Sequence, residues 1–189
     1  MARKIPKDTT QVIVVRGAGH DAVTNTVARW QRASPGAPWR PVGASLPGHN
    51  GANGWSTDHH EGDLRSPVGV FTLTNAAGRL PDPGSKLPYE FKPDYYVSTG
   101  TFLGHPLAGS LDYLVEINYN HIPGTPPSNR ARPLGQALGG GIFLHIDHGA
   151  PTHGCISIAR DQVVATIRWL DPAAHPVIVM GDAASLAAV

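Results

Sequence analysis

The side chains best equipped for chemistry lie close together. His145, His148, His153 and Cys155 fall within eleven positions, and Cys155 is the only cysteine of the 189-residue chain. Three chemistries are open to such a set: a buried thiol that simply packs, a metal centre, and a nucleophile with its base. A free thiol, with pKa ~8.5, is mostly protonated at neutral pH, so a nucleophilic Cys155 needs an imidazole to take its proton. Gly154, just before it, lets the backbone turn sharply and approach a substrate closely. Backbone N–H groups in such a turn can stabilise the oxyanion formed when a thiolate attacks a carbonyl. The stretch Thr152-His153-Gly154-Cys155 therefore reads as a strained nucleophile turn.

The base must be mounted on something rigid. Ile142 to Ile146 (IFLHI) is a short apolar run that reads as a strand, with Phe143 and His145 on one face and Ile142, Leu144 and Ile146 on the other. His145 is the first choice for the base, and His148, in the following loop, is the second. His153 is too close in sequence to face the thiol and is placed beside the acyl pocket. His121 is a fourth histidine upstream. His145-x-Asp147-His148 with His153 or Cys155 also offers zinc ligands, but no CxxC or HExxH pair supports them. A zinc-dependent peptidase is thus the rival enzyme, and a non-catalytic binding module the rival without chemistry. No bound metal and no cofactor are expected.

The elements around this stretch are mostly strands. Gln11 to Val15, Ala22 to Arg32, Trp39 to Val42, Val68 to Thr74, Leu111 to Asn118 and Pro176 to Met180 read as strands. Pro47-Gly48 reads as turn punctuation, and proline-rich Pro81 to Pro93 cannot be a central strand. One helix is expected, capped by Asp161, with Val163, Val164, Ile167 and Leu170 at helical spacing, and stopped at Asp171-Pro172. The fold class is mainly β, with one clear helix near the C-terminus. Residues 1–10 read as an N-terminal extension, 11–182 as one domain and 183–189 as a tail. The polar segment Asp58 to Glu61 reads as a solvated loop, with Glu61 and Asp63 as loop-fixing residues.

Composition narrows the partners. Lys and Arg total 15 against 14 Asp and Glu, so no strong field points to a nucleic acid. There is no apolar stretch of membrane-spanning length and no signal-peptide pattern at the start. A single cysteine cannot form an internal disulfide. With 22 Gly and 18 Pro, the chain suits short strands and many turns.

Ile142-Phe143-Leu144-His145, followed by Pro151-Thr152-His153-Gly154-Cys155-Ile156, resembles the signature of the L,D-transpeptidase (YkuD-like) catalytic domain, in a compact bacterial branch. Glu61-Gly62-Asp63 and Ser66-Pro67-x-Gly69-x-Phe71 form a second match, and Tyr119-Asn120 a third. The resemblance implies a mixed, sandwich-like β fold and a cysteine enzyme acting on peptidoglycan stem peptides. Cys155 would attack the carbonyl of the third residue, often a diamino acid such as meso-diaminopimelate, and release D-alanine. A thioester would form, resolved by an amine or by water, with His145 moving the protons. The Cys155 N–H, with Gly154, would form the oxyanion hole, and His153 and Thr152 would border the substrate. The resemblance also implies a location outside the cytoplasm and acylation by carbapenems, and a monomer is expected. In the family, His-Gly usually follows the strand, whereas here the pair is His148-Gly149. Ser157 stands where the family often has Arg or Asn, with Arg160 as a nearby substitute.

Overall fold

A computed structural model describes residues 4–188. In chain order the strands are β1 (Gln11–Gly17), β2 (Thr24–Gln31), β3 (Arg40–His49), β4 (Trp55–Ser56), β5 (Ser66–Pro67), β6 (Gly69–Thr72) and β7 (Ala76–Gly78). They continue with β8 (Tyr89–Phe91), β9 (Thr101–Phe102), β10 (His105–Pro106), β11 (Leu114–Glu116), β12 (Phe143–Ile146), β13 (Ile156–Ile158) and β14 (Val177–Asp182). Two helices follow the site, α1 (Arg160–Trp169) and α2 (Ala183–Ala188). The protein is therefore mainly β, with its one longer helix near the C-terminus, as the residue pattern predicts.

Ten strands form one mixed sheet in the order β6-β14-β1-β2-β3-β13-β12-β11-β7-β8. β1, β2 and β3 form an antiparallel meander, while β12 and β13, which flank the nucleophile turn, run parallel. Their register pairs Leu144 with Ile156 and His145 with Ser157. Leu144, Ile146, Ile156 and Ile158 point into the main core with Ile13, Val15, Val27 and Trp55. Strand alternation then sends His145 and Ser157 to the opposite face together. The apolar half of each strand anchors it, and the polar half is left to build the site.

Helix α1 packs on β11 and β12. Val163, Ile167 and Leu170 are fully buried, each worth about 2 kcal/mol of apolar burial. An Ile167→Ala change would cost about 2–5 kcal/mol and loosen the mount of β12. The helix begins two residues earlier than a cap at Asp161 implies. Ala159 is its N-cap, without a side-chain hydrogen bond, and Asp161 sits in the first turn, where its charge favours the helix dipole. Asp171 caps the next short turn instead, accepting from the Ala173 N–H.

Strand β3 also departs from expectation, running straight through Pro47-Gly48. On its far side it pairs with β13 only at Gly48 and His49, so the rest of that edge is open and a proline's missing N–H is tolerated. The proline-rich segment supplies only β8, at the edge of the sheet. Residues at both ends pack on the domain. Thr10 N–H donates to the Ala174 carbonyl, Ile5 joins a cluster with Val12 and Val179, and α2 buries Leu186 in the same cluster. Residues 183–188, expected as a tail, are thus helical. No helix among the described residues is long and apolar enough to cross a membrane.

Candidate active site

The nucleophile turn is fastened from two directions. Thr152 is buried, and its Oγ1 donates to the Cys155 carbonyl (2.6 Å) while accepting from the Gly154 N–H (3.1 Å). Ser66 is fully buried, and its Oγ donates to the Gly154 carbonyl (2.6 Å) while accepting from the Gly51 N–H (2.9 Å). Gly51 bridges Thr152, and the Thr152 N–H donates to the Asn50 carbonyl. Gly154 has φ of 142°, and a Cβ there would lie 2.9 Å from the Arg65 carbonyl oxygen. Only glycine fits that backbone and that contact.

This turn delivers Cys155 to the edge of β12. Its Sγ accepts from the Phe143 N–H (3.4 Å) and faces the Gly141 carbonyl (3.6 Å). Burial pushes the thiol up to about 12, although the Phe143 N–H pulls it down. His145 stands two residues further along β12, on the same face as Phe143. It is 5% exposed, and burial pushes its imidazole down to about 4. Its Nδ1 lies 2.8 Å from the Ile146 carbonyl. A carbonyl can only accept, so Nδ1 carries the hydrogen and Nε2 keeps its lone pair. Among the described residues His145 and Cys155 share no hydrogen bond. At neutral pH they rest as a neutral imidazole and a neutral thiol, not as an ion pair.

The other histidines take different places. His148 stacks parallel to His145, with ring centroids 6.3 Å apart. Its Nδ1 is buried without a partner, and burial lowers its pKa. His153 is exposed, and the Phe102 ring from the β9–β10 hairpin lies 3.7 Å above it. His121 is buried, its Nδ1 3.1 Å from Asn118 Oδ1 and 4.0 Å from Glu116 Oε1, and it makes no hydrogen bond to the thiol among the described residues. No three His, Cys, Asp or Glu side chains among the described residues are grouped to hold a metal, so the zinc ligand set is not assembled.

Behind His145 lies a polar cluster that the sequence did not disclose. Asp147 Oδ1 accepts from His49 Nδ1 (2.8 Å) and Ser157 Oγ (2.7 Å), and Oδ2 accepts from the Gly149 N–H (3.2 Å). These donors hold the Asp147 carboxyl below its ordinary value despite burial. Ser157 is therefore committed to orienting the His145–His148 loop. Arg160 does not substitute at that position, because its guanidinium donates to Asp112 Oδ2 (2.8 Å).

Three further residues emerge only in the fold. Ser66 opens the Ser-Pro-x-Gly-x-Phe motif, and that motif was its only signal. Glu116 is fully buried on β11 opposite Phe143, and burial pushes its carboxyl up to about 9. Arg132 lies along Gly140 and Gly141, and the Gly141 carbonyl faces the thiol. The Asp58 to Glu61 loop is only partly solvated. His59 is buried edge-on against Tyr119 (5.1 Å), with Nδ1 3.0 Å from Asp63 Oδ1. Asp63 also accepts from the His60 and Arg65 N–H groups, which fixes the loop as anticipated.

No curated protein sequence matches the chain. Among solved structures it resembles the helical cell shape determining protein Pgp2 from Campylobacter jejuni, at 14% identity and a TM-score of 0.49, over 91% of this chain and 47% of that one. It also resembles Bd1075 of Bdellovibrio bacteriovorus, at 16% identity and a TM-score of 0.48, over 92% of this chain and 48% of that one. The chain thus spans about half the length of either structure. The model of the YkuD L,D-transpeptidase catalytic domain matches residues 10–179, nearly the whole chain, and the protein belongs to that family.

Proposed function

We propose that the protein is a peptidoglycan L,D-transpeptidase, with Cys155 as nucleophile and His145 as base. The family acts on peptidoglycan. The observation that carries the assignment is the Nδ1 contact of His145 with the Ile146 carbonyl, which leaves Nε2 free on the face of β12 that meets the thiol. Because thiol and imidazole rest neutral, the proton moves as the bond forms.

Cys155 Sγ attacks the stem-peptide carbonyl before the terminal D-alanine, and His145 takes the thiol proton. The carbonyl oxygen becomes an oxyanion held by the Cys155 N–H, since the Gly154 N–H is already given to Thr152. His145 returns the proton to the departing amine of D-alanine, and a thioester remains. An amine of a second stem, or water, then attacks the thioester through the same base and frees Cys155. His153 and Phe102 border the acyl pocket. Every group comes from one chain, so a monomer suffices, and the substrate sets the place of action outside the cytoplasm.

The test is D-alanine release from a tetrapeptide stem, with iodoacetamide or a chelator added. Loss of activity with iodoacetamide alone is the expected outcome. Loss with the chelator alone would instead establish a metal enzyme.

A further inference from the structure

Arg132 is a cation held in place without a counter-ion. A Cβ on Gly140 would come within 2.7 Å of its Cζ and would overlap Nε. Its Nη2 lies 3.5 Å from the corresponding point on Gly141. Gly140 and Gly141 adopt φ of 149° and 67°, which favours glycine at both, and at Gly140 the arginine also leaves no room for a Cβ. The guanidinium therefore lies along the peptides whose Gly141 carbonyl faces Cys155 Sγ at 3.6 Å.

Its own bonding is sparse. Nη1 donates to the adjacent Ala131 carbonyl (3.1 Å), and no carboxylate among the described residues pairs with it. The nearby Glu116 does not neutralise it, because burial keeps that carboxyl protonated at neutral pH. Arginine presents a planar fork of N–H donors that suits a carboxylate in two-point contact. A stem peptide offers such groups: the C-terminal carboxylate of the departing residue, and a side-chain carboxylate where the third residue is a diamino diacid.

We propose that Arg132 binds a carboxylate of the acyl donor and so selects stem peptides at the Cys155 site. The inference rests on the acyl-transfer function proposed above. Held over Gly140, the guanidinium clamps the donor beside the thiol, and its charge attracts the anionic stem.

Steady-state kinetics of the parent and Arg132→Gln on three stems test this: the natural tetrapeptide, its C-terminal amide, and a version with lysine as the third residue. Arg132→Gln should lower kcat/KM on the natural stem roughly 10- to 100-fold, mostly through KM, as expected for one charge-assisted pair. It should cause no further loss on the one stem that lacks the bound carboxylate, which tells the two sources apart. Arg132→Lys should fall in between. The iodoacetamide alkylation rate of Cys155 should stay unchanged in both variants. Unaltered kcat/KM, equal losses on all three stems, or a matching fall in alkylation would each overturn the assignment. Failure of the parent on every stem would overturn the acyl-transfer function and this inference together. Turnover by the parent with an unaffected Arg132→Gln variant would overturn the inference alone.

Discussion

Ser66 Oγ reaches across 88 residues of chain to donate a 2.6 Å hydrogen bond to the Gly154 carbonyl. The strand that opens with Ser66 thus locks the turn that carries the nucleophile. Ser66→Ala would leave both the Gly154 carbonyl and the Gly51 N–H without their partner. The expected cost is about 2 kcal/mol or more. At this chain length that corresponds to a Tm lower by about 4–8 °C. Thermal unfolding followed by circular dichroism checks the stability, and stem-peptide acylation should slow in parallel. A variant that keeps both its Tm and its acylation rate would contradict the fastening role.

The base assignment separates His145 from His148. His145 is mounted on β12 with its tautomer fixed, whereas His148 lies in the loop with an unpartnered Nδ1. His145→Gln should slow acylation of Cys155 by about 100-fold or more, the usual worth of a general base. His148→Gln should slow it less than about tenfold. Single-turnover acylation rates measure both, and a larger loss at His148 would reverse the roles.

Stability should depend on pH in a way that reports two buried groups. His145 titrates at about 4 in the fold against 6.5 ordinarily, so as pH falls below 6.5 the unfolded chain takes up the proton first and stability drops. Glu116 titrates at about 9 against 4.5, so as pH rises above 4.5 the unfolded chain loses its proton first and stability drops again. Between 4.5 and 6.5 the two slopes oppose each other, while His59, His121 and His148, whose pKa values burial also lowers, add to the loss on the acid side. Above 6.5 only the Glu116 slope persists, to about 9.

Glu116→Gln removes that slope. Between pH 6.5 and 8.5 the parent should lose on the order of 3 kcal/mol and the variant little of it. Urea midpoints at the two pH values make the comparison. An equal loss in both proteins would show that Glu116 is not held protonated by the fold.

Much of the site was legible because its chemistry is local in sequence. The alternation over Ile142 to Ile146 places His145 opposite the core residues, and Gly154-Cys155 announces the sharp turn. The long-range partners were not legible. Nothing beside Ser66 says that its hydroxyl holds a carbonyl so distant in the chain, and nothing beside Asp147 points to His49. Arg132 and Glu116 acquire meaning only when β11 and the Gly139–Gly141 loop meet the thiol. Pro47 misled because a strand edge left largely open accepts proline, and openness is a property of the assembled sheet.

The central claim, that Cys155 forms the acyl-enzyme, is tested most directly by the intact mass of the protein acid-quenched during turnover of a tetrapeptide stem. The parent should gain the mass of the stem less D-alanine, and Cys155→Ala should gain nothing. An adduct on Cys155→Ala, or D-alanine release by that variant at the parent's rate, would contradict the account.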